Sequence, residues 1–237
     1  MSHPVLDRRL INLLAANRRY RDPVLEPLNR HPVLLALQRF QAKRLRASFA
    51  DFLASPRERQ AAEFFLSDLY GDFDVSVRDQ NIERVLPIMR RVLPEKLLAA
   101  AADAIELSAL SHAFDLRVTK QLVKHSDSEV IELFRYAQAY RAAGLPRLRS
   151  HQVGLITRVG ESLDRTVSKP LIGHLLRMSR IPARAAGLSE LQSFLERGFE
   201  AFRALGGSGP FVNEIAAREL SVSEKLFAGD PDPFRAR

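Results

Sequence analysis

Apolar side chains recur every three to four residues along nearly the whole chain, the spacing of amphipathic helices. The densest stretch is Glu63-Phe64-Phe65-Leu66-Ser67-Asp68-Leu69-Tyr70-Gly71. Ala61, Phe65 and Leu69 share one helical stripe, which Phe64 and Leu66 widen, so this short helix is expected to be buried on most sides. Upstream, Pro4–Ala16 reads as a helix through Val5, Leu6, Leu10, Ile11, Leu13 and Leu14. Asn17–His31, with Pro23 and Pro27, reads as a connector. A second helix is predicted from Pro32 to Ala54, with Val33, Leu34, Leu37, Phe40, Leu45, Phe49, Phe52 and Leu53 inward. Its outer face is assigned Arg39, Lys43, Arg44 and Arg46. Ser55-Pro56-Arg57-Glu58 has the form of a capping box opening the aromatic helix, and Gly71 that of its stop.

A further helix is predicted from Arg78, kinked or broken at Pro87 and Pro94. The longest pattern, Pro94–His125, begins with small apolar residues that suit close helix approach, and is expected to be central. Ser126-Asp127-Ser128-Glu129 is a second capping box, before a helix closed by Gly144. Helices are then expected over Pro146–Lys169, Pro170–Met178 and Ser189–Leu205, with a turn at Pro182–Gly187. Gly206–Pro210 reads as a flexible linker before a last helix reaching Phe227. No stretch alternates as a strand does. The fold class expected is therefore all-α: one irregular bundle of about nine to eleven helices, without a sheet. Residues 1–228 are expected to form one domain, with 189–228 as a semi-detached hairpin and 229–237 as a disordered tail.

Composition narrows the chemistry. The chain has 46% hydrophobic and 27% charged residues, which suits a globular protein. It has no cysteine, so disulfides, thiolate metal sites and a cysteine nucleophile are excluded. No apolar run is long enough to span a bilayer and the N-terminus does not resemble a secretory signal, so a cytoplasmic protein without membrane association is expected. Of the net charge of +8, most lies in residues 1–60, which hold twelve Lys and Arg against five Asp and Glu. That asymmetry raises the question of an acidic partner.

The Phe64-Phe65-Leu66 to Leu69-Tyr70-Gly71 segment followed by Arg78-Asp79, with the block Leu195–Phe202, resembles a family of uncharacterised all-helical proteins of Gram-negative bacteria. The resemblance extends over most of the chain. It implies a helical fold and a bacterial cytosol, and it transfers neither an activity nor a site.

Several constellations of residues bear on chemistry. Asp72, Asp74, Ser76 and Glu83 match positions of an EF-hand loop, but Val77 stands where that turn needs glycine, so a polar loop is the better reading. Ser108, His112, Asp115 and Thr119 form one polar stripe on the long helix: a candidate pocket with a general base, or a solvent face or self-satisfied core network. Glu106, Glu129 and Glu132 lack the histidine three residues on that di-iron sites use, and the six histidines show no ligand spacing, so no metal and no cofactor is expected. The glycines at 206, 207 and 209 follow a helix and lack a phosphate-loop lysine. Arg18, Arg19, Arg39, Lys43, Arg44 and Arg46 form a candidate basic patch for nucleic acid, against the plainer reading of solvated helix faces. Arg147, Arg149, His151 and Arg158 are a second basic set.

The preferred expectation is a non-enzymatic protein acting through contacts with an unidentified protein or a second copy in a homodimer. The alternatives are a small-molecule binder or enzyme around His112 and Asp115, and a nucleic-acid-associated protein using the basic N-terminal helices.

Overall fold

The computed structural model describes residues 3–69, 95–167 and 169–235. Among them there are eleven α-helices and no strand. They are α1 His3–Arg21, α2 Pro32–Ser48, α3 Ala50–Ala54, α4 Arg59–Phe64, α5 Glu95–Val123, α6 Leu133–Ala143, α7 Pro146–Val167, α8 Pro170–Met178, α9 Arg180–Ala185, α10 Ser189–Leu205 and α11 Gly209–Ala228. A 3-10 turn, Pro27–Arg30, precedes α2, and a π-helical turn, Phe65–Leu69, extends α4. The EF-hand-like loop, the Gly71 stop and the helix from Arg78 through Pro87 and Pro94 lie outside the described residues.

The bundle is built around α5, whose 29 residues span about 44 Å. Helices α1, α2, α6 and α7 all pack on it. Leu6, Leu10 and Leu14 project from one face of α1 onto Leu98, Ala102 and Ile105. The small side chains expected to let helices close in therefore do so. Phe64, Phe65 and Leu66 are three consecutive buried residues. A regular helix would turn one of them outward; the π turn widens the backbone and keeps all three inside. The Ser67 hydroxyl donates to the Glu63 carbonyl at 2.6 Å in that turn. Around it the rings interlock: Phe65 meets Phe49 edge-on at 6.1 Å, and Phe64 lies 5.3 Å from Phe194 and 6.3 Å from Phe202.

Several local expectations need correction, among them the turn read at Pro182–Gly187, where α9 runs from Arg180 to Ala185. The helix predicted over Pro32–Ala54 breaks at Phe49, whose backbone (φ −117°, ψ 25°) leaves the helical region as its ring enters the core. The segment 126–132 is not helical. Ser126 and Ser128 hydroxyls each accept a backbone N–H two residues on, and Arg135 donates to the carbonyls of Ser126, Ser128 and Val130. Those bonds satisfy the backbone locally and delay the helix to Leu133. The Gly206–Pro210 linker is pinned: Ser208 is fully buried, donating its N–H to Asp164 Oδ1 at 2.8 Å and its hydroxyl to the Gly160 carbonyl at 3.3 Å. Finally, Phe234, read as part of a tail, folds back against Phe40 and Tyr136 at 6.4 and 6.1 Å.

Candidate functional site

The polar stripe on α5 faces inward. His112 is 6% exposed and Thr119 is fully buried. Asn29, in the 3-10 turn, donates its amide N–H groups to the Tyr20 and Glu26 carbonyls, which aims its Oδ1 at His112. The imidazole Nε2 lies 2.7 Å from that oxygen and must carry the proton. Burial, with Arg21 nearby, lowers the His112 pKa to about 4, so the ring is neutral at pH 7. Arg21 donates to the Ser108 hydroxyl at 3.1 Å. One turn on, Asp115 is half-buried as a residue, with its carboxyl in the interior among Arg149, Gln38 and Gln41. Burial raises its pKa to about 6. Arg149 lies over the Phe114 and Tyr140 rings and donates to Gln152, which in turn donates to Ser111 at 2.6 Å. The stripe thus latches α1, the 3-10 turn, α2 and α7 onto α5.

The candidate basic residues divide. Arg18, Arg19, Arg39, Lys43 and Arg46 are exposed. Arg44 is not on the outer face: it is buried and paired with buried Glu219 through its two terminal nitrogens, Nη1 and Nη2, the second at 3.0 Å. Burial opposes its charge, but the adjacent carboxylate outweighs that and raises its pKa. Phe234 covers the pair, its ring centre 5.4 Å from the guanidinium. The sequence did carry the signal. Arg44 stands seven residues after Leu37, and Glu219 seven before Leu226, both on inward stripes.

A partly buried charge cluster joins three helices. Arg9 of α1 binds Asp103 and Glu106 of α5, each at 2.5 Å, while His151 and Arg158 of α7 reach Glu106 at 2.7 Å and Asp103 at 3.5 Å. Burial works against the Glu106 charge, but His151 and Arg9 outweigh it and depress its pKa. No group of three potential metal-ligating side chains occurs among the described residues.

Two cavities among the described residues bear on function, and neither is lined by His112 or Asp115. One, of about 10 Å³ beside Gln41, Tyr140 and Arg149, has room for at most one water. The other is an open groove of about 470 Å³ between α4 with its π turn and α8, α9 and α10. Its floor is aromatic. The Phe199 ring sits where a Cβ on Gly173 would come within 2.9 Å, and Phe64 where one on Gly198 would come within 2.8 Å. Its rim carries both charges, with Arg180 bound bidentately to Glu196 at 2.7 and 2.9 Å. Gln192 donates to the Leu176 carbonyl at 2.6 Å and fixes α8 to α10. Sequence reading missed this groove because its walls come from three distant segments.

The model of the family described as "Domain of unknown function (DUF8198)" matches residues 21–233. No curated protein and no solved structure matches the chain.

Proposed function

The chain belongs to the DUF8198 family, whose description assigns no function, and we propose that it is a non-catalytic contact protein whose groove between α4 and α8–α10 holds a segment of a protein partner. One observation carries this reading. The polar groups most able to do chemistry are consumed in latching the bundle, whereas the groove has an aromatic floor and a rim of mixed charge. Such a lining suits an apolar side-chain anchor with flanking polar contacts. The Gram-negative cytosol is part of the same proposal, supported by the resemblance of the Phe64–Gly71 segment and the absence of cysteine.

The test is a photo-crosslinking residue at exposed Gln60, on the groove wall, in the native host. One dominant protein adduct is expected. It should vanish when Arg177→Glu alters the rim and persist when Val130→Asp alters a distant exposed site. No protein adduct, or one indifferent to Arg177→Glu, would sink the proposal.

A further inference from the structure

Helices α8 and α9 present a second face, turned away from the groove. Gly173 and Leu176 line the groove. Leu175 and Met178 each stand two residues further on, about 200° round the helix. They are 50% and 64% exposed, and Ile181, just past the bend into α9, is 82% exposed. The sequence around them is basic: five Lys and Arg and no Asp or Glu lie between Asp164 and Glu190, although Arg180 is paired with Glu196 and Arg165 with Glu161. Lys169 and Arg184 are exposed near the two ends of this stretch, whereas Arg177 and Arg180 line the groove.

We infer that this ridge is a docking surface for an anionic lipid bilayer, against the sequence expectation of no membrane association. Three exposed apolar side chains, with Lys169 before them and Arg184 after them, match what an interfacial membrane site presents: side chains that enter the acyl boundary and charges that meet lipid phosphates. No described helix is long and apolar enough to cross a membrane, so the association is peripheral. A second copy of the chain would set this basic face against itself. Nucleic acid would reward the cations and leave Ile181 and Met178 in water. The inference does not rest on the groove.

Vesicle flotation tests it, with roughly seven-to-three phosphatidylcholine–phosphatidylglycerol vesicles and pure phosphatidylcholine as control. The protein is expected to float with the anionic vesicles at ~100 mM salt, to be largely released at ~500 mM, and to ignore the neutral ones. Ile181→Asp and Met178→Asp should each cut partitioning about tenfold. Both side chains are solvent-exposed, so circular dichroism should show an unchanged fold. Phe134→Asp, at another exposed apolar position, should change nothing. Absence of flotation, equal flotation of the Ile181→Asp protein, or binding to duplex DNA that survives where vesicle binding does not would each overturn the inference. The groove reading would be untouched by any of these.

Discussion

At the scale of single residues, two buried ionisable groups pull against each other. His112, lowered to about 4, contributes stability that is complete above about pH 6.5 and is lost as pH falls toward 4. Asp115, raised to about 6, contributes stability that is complete below about pH 4 and is lost as pH rises through 6. Between those limits they nearly cancel. Relative to the wild type, Asp115→Asn should therefore lose roughly 3 kcal/mol more on going from pH 6.5 to 4, and His112→Gln roughly 3 kcal/mol less. Urea unfolding at stepped pH reads this directly; parallel curves for all three proteins would refute the opposition. The buried Arg44–Glu219 pair makes a second prediction. Arg44→Met or Glu219→Leu alone should cost about 3–5 kcal/mol, because each strands a buried charge. The double variant should regain most of that loss. The position of His112 and Asp115 on one stripe was legible in the sequence. Whether they met solvent or protein was not, because Asn29 and Gln41 come from other elements. Arg44 was misread because charge was given precedence over its place on the Leu37 stripe.

At the scale of elements, close helix crossings depend on missing side chains. A Cβ on Gly160 of α7 would lie 2.5 Å from the Val212 methyls of α11. Gly160→Ala should therefore destabilise the protein by about 1–3 kcal/mol, with Val212→Ala in the same chain relieving part of it. Thermal melts of the single and paired variants check this, and an undiminished melting temperature for Gly160→Ala would contradict it. Helix periodicity found most of these elements, since α1, α5, α7 and α11 each bury a regular stripe. It failed where side chains bond the backbone. Neither the serine turns at 126–128 nor the carbonyl-binding role of Arg135 leaves a mark on hydrophobic spacing. The π turn has the same character, though its three adjacent large apolar residues were a clue that a regular helix could not hide them all.

At the scale of the whole molecule, the basic excess of the first sixty residues is dispersed. Arg44 is internal, Arg21 serves the α5 latch, Arg9 serves the acidic cluster, and α1 and α2 each pack on α5. Duplex DNA is therefore expected to shift weakly at ~50 mM salt and not at ~200 mM, as nonspecific phosphate contact does. A mobility-shift titration that stays tight at the higher salt would contradict this. The pairing of Arg44 with Glu219, sealed by Phe234, bears on how the chain is made. These partners are 175 residues apart, so α2 emerges from the ribosome long before its counter-charge exists. Nascent chains arrested short of Glu219 should leave α2 open to proteases, and chains extended past Phe234 should protect it. Because contacts this distant in sequence close last, that late closure is expected to set the pace of folding.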